Sequence, residues 1–105
     1  MEKLSLSDAE IINISISDEV VEVEYLDWAE ALNKIRFEDV IGFECFSPHR
    51  RSLSHLVVEG GADFIAKAVA VSESDSSQVY SAYSFICAWT DLPVLRVVAA
   101  NISRV

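Results

Sequence analysis

Basic residues are scarce in this chain. Eight Lys and Arg stand against 17 Asp and Glu, for a formal net charge of −9 over 105 residues. The shortfall is uneven: residues 1–49 hold twelve acids and three bases, whereas residues 50–105 hold five of each, so the whole excess lies in the first half. Such a surface repels phosphate backbones and anionic lipid headgroups, which argues against nucleic acid and membrane partners and favours a basic protein. Solubility alone is the simpler use of the same charge.

Cysteine, proline and glycine are sparse as well, at two, two and three residues. Cys45 and Cys87 both sit inside apolar strand-like patterns, and Met1-Glu2-Lys3-Leu4-Ser5 has no basic start followed by an apolar run. Buried free thiols are therefore expected, in a cytoplasmic protein. No apolar run approaches the roughly eighteen residues of a membrane helix. The Gly60-Gly61 pair lacks a Walker lysine pattern and reads as a helix stop, not a phosphate cradle. Repeats and dividing linkers are missing, and Ser72–Ser77 is the one low-complexity stretch. A single domain over 1–105 is expected, with enough apolar sequence (51%) to fold without a metal or a disulfide.

What is present is strand pattern. From Val79 to Trp89 and from Val94 to Ile102, β-branched and aromatic residues are dense around the turn chemistry of Thr90-Asp91-Leu92-Pro93. If Trp89 pairs with Val94, then Phe85 meets Val98, Tyr83 meets Ala100, and both faces are largely apolar, as in a central hairpin covered twice. Earlier, Ile12, Ile14 and Ile16 alternate with polar residues after a polar lead from Glu2 to Glu10, and Val21, Val23 and Tyr25 alternate with Glu22 and Glu24. Placing Ile16 opposite Val21 sets Ile14 on Val23 and Ile12 on Tyr25. A third strand, Leu32 to Glu38, then puts Ile35 on Val23, Arg36 on Glu22 and Lys34 on Glu24. A fourth fits Val40 to Phe46, ended by Ser47-Pro48. Ser52 to Val58 reads as a helical turn; in Ala62 to Val71 the alternation Ile65, Lys67, Val69, Val71 fits a strand, while the stripe Phe64, Ile65, Ala68, Val69 and Ser72 fits a short helix, which is the reading adopted. The expected fold is mainly β: an antiparallel sheet of about six strands, curled or two-layered, with one short helix.

Chemistry-bearing residues are few. For a Cys/His enzyme, Cys45, Cys87, His49 and His55 are the whole nucleophile-and-base inventory, and no catalytic signature surrounds them, so no enzyme is expected. Cys45-x3-His49-x5-His55 lacks a fourth ligand for zinc; neither metal nor cofactor is expected. His49-Arg50-Arg51 is the one basic cluster and reads as solvated. Paired carboxylates are abundant without a pocket or an acid partner to make them catalytic. Their other use is recognition. Trp28 lies between Asp27 and Glu30, a hot-spot composition, and Asp27, Trp28, Glu30, Glu38 and Asp39 form the candidate binding set. The simpler reading has Trp28 closing the end of the core.

Tyr25-Leu26-Asp27-Trp28, Ile35-Arg36-Phe37-Glu38-Asp39-Val40, Tyr83-Ser84-Phe85 and the run from Ala88 to Leu95 together resemble the small immunity-type proteins that bacteria encode beside toxins. The resemblance spans most of the chain as a pattern of strands and turns. It implies a compact sheet domain that binds a cognate toxin domain and blocks it. The expected function is thus a non-enzymatic acidic binding module. A structural sheet domain that assembles as a homodimer through a sheet edge is the alternative.

Overall fold

In the computed structural model, residues 2–47, 51–60, 63–72 and 79–104 are described. They form strands β1 (Glu2–Ser5), β2 (Glu10–Ser17), β3 (Val20–Leu26), β4 (Leu32–Cys45) and β5 (Leu53–Glu59), helix α1 (Asp63–Ser72), and strands β6 (Ser81–Cys87) and β7 (Pro93–Arg104). All seven strands belong to one antiparallel sheet in the order β1-β5-β6-β7-β4-β3-β2. The mainly β architecture with one short helix is the expected one.

Connectivity forces the sheet to curl. β1 and β2 are its two outermost strands, yet only four residues separate Ser5 from Glu10, a reach of about 17 Å. The edges meet at this turn. Leu53 N–H donates to the Ala9 carbonyl at 2.8 Å, Leu6 N–H donates to the Ser54 carbonyl at 3.0 Å, and Glu10 bridges Ser52. Leu6 and Ala9 are buried at the seam.

Alternation along the strands fills the inside of the curl with one apolar cluster. Phe37 and Phe85 are fully buried at its centre. The Phe37 ring lies 5.0 Å from that of Tyr83 and 6.1 Å, edge to face, from that of Phe85. Burying each large apolar side chain contributes about 1.5–3 kcal/mol. On the outer face, Phe64, Ile65, Ala68 and Val69 of α1 pack with Ile41, Ala82, Val98 and Ala100, so the helical stripe is the expected one. The helix comes so close that a Cβ on Gly42 would stand 3.1 Å from the Ala68 Cβ. Arg96 covers the Phe64 ring at 4.6 Å.

The registers Val23↔Ile35, Glu22↔Arg36 and Glu24↔Lys34 occur as expected. So do Ile16↔Val21 and Ile14↔Val23, but a bulge between Ile11 and Asn13 brings Ile11, not Ile12, opposite Tyr25. The segments expected as third and fourth strands are one 14-residue strand. It bends at Asp39, which takes a left-handed φ of 54°, and bulges between Val40 and Gly42. β7 backs both halves, from Ile35↔Arg104 to Cys45↔Leu95.

The expected helical turn at Ser52–Val58 is strand β5. Leu53 and Leu56 are spaced like a helix, but a bulge between Leu53 and His55 shifts the strand's parity so that both face the core. The polar lead contains edge strand β1, which pairs with β5. The central hairpin is buried on both faces, as expected, with a different register: Phe85 faces Leu95 and Tyr83 faces Val97. Its turn starts earlier than the proline suggests, because Cys87 N–H donates to the Leu92 carbonyl at 2.9 Å and Asp91 N–H to the Cys87 carbonyl at 3.0 Å. Trp89 is consequently a loop residue, 83% exposed.

Candidate functional site: an exposed tryptophan beside an acidic cleft

The β3–β4 connection is built by Asp27. Its Oδ1 accepts the N–H groups of Ala29 and Ala31, each at 2.9 Å, and its Oδ2 accepts Asn33 Nδ2 at 3.2 Å. Two backbone bonds close the same loop, Glu30 N–H to the Asp27 carbonyl at 2.9 Å and Asp27 N–H to the Ala31 carbonyl at 3.0 Å. A short polar side chain that folds back on its own backbone is the ordinary organiser of such turns. The Ala31 N–H above all, helped by Asn33 and the Ala29 N–H and opposed by desolvation, holds the Asp27 carboxyl below its usual value. Glu30 completes the turn in the left-handed region, at a φ of 62°.

This loop holds Trp28 away from the core. Its side chain is 78% exposed, so the reading in which it closes the end of the core is wrong. Asp27 supplies the reason: its carboxylate satisfies the loop's own amides, and the turn stands without help from the indole. On one side of Trp28 is a cleft of about 410 Å³ lined by Asp8, Glu10, Leu26, Asp27 and Glu30. On the other is a groove of about 300 Å³, where Ser5, Ser7, Tyr25, Asn33 and Arg104 take part in the lining. Trp28 is the ridge between them.

Of the five residues in the candidate set, Asp27, Trp28 and Glu30 are together, while Glu38 and Asp39 lie elsewhere. Glu38 faces Asn101 and pairs with Arg36 at 3.8 Å; Asp39 Oδ2 accepts Asn101 Nδ2 at 3.1 Å. Their neighbour is the Asp18-Glu19 turn, since Val40 N–H donates to the Glu19 carbonyl at 2.9 Å. The length of β3, about 20 Å, separates this second acidic group from Trp28. Asp8 and Glu10 join the Trp28 cleft instead. The β2–β3 pairing brings them there: Glu10 stands opposite Leu26, so the start of β2 and the turn before it lie beside the β3–β4 loop.

No family model, curated protein or solved structure matches the chain.

The remaining candidates are dispersed. Cys87 is a buried free thiol, as expected, but Cys45 is exposed at the end of β4. The Thr90 hydroxyl and then the Thr90 N–H hydrogen-bond to the Cys87 sulfur and lower its pKa; burial opposes them, and the Trp89 N–H and the Arg51 charge add smaller effects. His55 Nδ1 engages Ser54 Oγ at 2.9 Å. His49, Arg50 and Gly61 lie outside the described residues, as does most of Ser72–Ser77. Among the described residues no three His, Cys, Asp or Glu side chains converge as a metal requires, and no helix is long and apolar enough to cross a membrane.

Proposed function

We propose that this protein is a non-enzymatic binding module, and that the Trp28 ridge with its acidic cleft receives Lys or Arg side chains of a basic protein partner. The observation that carries the proposal is the 78% exposure of Trp28 on a loop fixed by Asp27, directly beside Asp8, Glu10 and Glu30. An exposed indole face attracts a guanidinium by about 0.5–1 kcal/mol, rising to about 2 when water is excluded. Carboxylates around that face add charge-assisted hydrogen bonds and fix the direction of approach. Buried aromatic anchors dominate the lifetime of such complexes, whereas charge dominates the rate of encounter. The net charge of −9 supplies the steering field, to which the separate Asp18, Glu19, Glu38 and Asp39 group contributes from a distance. A basic toxin domain in the cytoplasm is the partner class we assign, on the strength of the immunity-type resemblance in the strand and turn pattern.

A fluorescence titration tests the cleft directly. In a Trp89→Phe background the remaining indole is Trp28, and its emission should shift saturably as a hexa-arginine peptide is added at low salt. Glu30→Lys combined with Asp8→Lys should weaken the apparent affinity by at least about tenfold. An emission that ignores the peptide, or a titration indifferent to both reversals, counts against the assignment.

A further inference from the structure

The outer side of β2 carries an assembly site of its own. β2 ends the sheet order, and beyond the Glu10–Ser52 bridge no described strand pairs with its outer side from Asn13 to Ser17. The turn after it has two residues, Asp18 and Glu19, flanked by the facing pair Ser17↔Val20. In such a hairpin the flanking pair exchanges both of its hydrogen bonds. Ser15 and Asn13 then also turn their backbone groups inward, toward β3, and Ile14 and Ile16 present N–H and C=O to the open side.

Open edges are normally blunted by Lys, Pro, inward charges or a covering segment. From Ile12 to Ser17 there is neither a charge nor a proline, in a chain that is 24% charged. Ile16 is 52% exposed, and Ile14 packs partly on the core. We infer that β2 pairs antiparallel with β2 of a second copy of this chain, about a two-fold axis at Ser15, extending the curled sheet across a transient dimer.

The occupant follows from the symmetry of the segment. With Ser15 opposite Ser15 of the second copy, Ile14 faces Ile16, Ile16 faces Ile14, and Asn13 faces Ser17. The inner face of the junction is apolar, the outer face small and polar, and no like charges meet. Roughly four interchain hydrogen bonds form, two in each facing Ile pair. Sliding the register toward Glu10 drives the partner's turn into the Ser52 bridge; sliding it the other way sets Asp18 against Ile14 and shortens the pairing. Equal patches related by a two-fold axis give a closed dimer rather than a filament. Each copy carries a net charge of −9, so the copies repel at long range and the dimer strengthens as salt screens them. That sign is opposite to the one expected for a basic partner at Trp28. The inference does not rest on the proposed function.

Sedimentation of the full chain over a wide concentration range, at low and high salt, tests it. The weight-average mass should rise from monomer toward dimer, at lower concentration in high salt, and amide exchange at Ile14 and Ile16 should slow in step. Ile16→Lys should weaken association by at least about tenfold. Ile16→Pro, which removes one outward N–H at an edge position where proline is tolerated, should do the same, each with an unchanged circular dichroism spectrum. If Ile16→Pro fails to fold, Ile16→Lys and the wild-type exchange data decide. A chain that stays monomeric at millimolar concentration in high salt, or an association that survives Ile16→Lys, overturns the dimer; so does assembly beyond two copies.

Discussion

Trp28→Ala separates folding from binding more sharply than any other substitution in this chain. Truncating a buried aromatic such as Phe37, which is fully buried between Tyr83 and Phe85, should cost about 3–5 kcal/mol. Trp28 has only a fifth of its surface in contact with the protein, being 78% exposed, and its loop is closed by hydrogen bonds from backbone and Asp27 that do not involve the indole. Its removal should therefore change stability by no more than about 0.5 kcal/mol, the usual range for surface positions. Urea unfolding followed by circular dichroism measures this, with Phe37→Ala as the comparison. The same substitution should reduce affinity for a basic partner by about 2 kcal/mol or more, the size of a hot-spot truncation. A stability loss for Trp28→Ala approaching that of Phe37→Ala would refute the reasoning, because the indole would then be part of the core.

Further predictions follow from other parts of the fold. Gly42→Ala should change stability by no more than about 1 kcal/mol in a thermal melt, since its Cβ would stand 3.1 Å from that of Ala68 and α1 need give by only a few tenths of an ångström, a cost set against the entropy that alanine removes from the unfolded chain, whereas Gly42→Leu should cost clearly more. The Asp27 carboxyl is held below the usual aspartate range, first by the Ala31 N–H. Its stabilising effect is therefore fully present above the unfolded-state value and is lost as pH falls through the lower folded value. Asp27→Asn should flatten that acid limb of the stability profile, measured by urea unfolding at successive pH values. Native protein should react with a thiol reagent at Cys45 alone, which is exposed, and Cys87, which is buried, should become reactive only on unfolding, despite its lowered pKa.

Much of this fold is legible in the sequence wherever neighbours in the chain are neighbours in the sheet. The β2–β3–β4 meander shows its register because period-two alternation and opposite charges agree, as at Glu22↔Arg36, where the side chains pair at 3.7 Å. The stripe Phe64, Ile65, Ala68 and Val69 likewise identifies α1. Where the reading fails, a bulge or a distant strand intervenes. Ser54 adds a residue that makes β5 look helical, and the Ile11–Asn13 bulge exchanges the roles of Ile11 and Ile12. β1 is too short and polar to announce itself, and exists because β5 offers it an edge. The site was half legible. Asp27, Trp28 and Glu30 are neighbours in sequence and remain together, whereas Glu10, with Asp8 just before it, joins them across the β2–β3 pair, where it faces Leu26. Glu38 and Asp39 are close to Trp28 along the chain, but the length of the strand carries them away. The role of Asp27 as a turn organiser was hidden by its charge, which suggested a binding group.

The proposed meeting of basic ligands with the acidic Trp28 cleft is tested most directly by stopped-flow association with a hexa-arginine peptide, or with an identified basic partner. Raising salt from low to physiological strength should slow association severalfold, because exposed charges are screened beyond about 8 Å, while dissociation changes less. Asp8→Lys with Glu30→Lys should lower the on-rate, and Trp28→Ala should mainly raise the off-rate. Asp18→Lys with Glu19→Lys, at the far end of β3, alters the net charge equally without touching the cleft, and should have the smaller effect. On-rates reduced equally by both charge reversals, with an off-rate unaffected by Trp28→Ala, would show that net charge alone draws the ligand, and would contradict the assignment of the site.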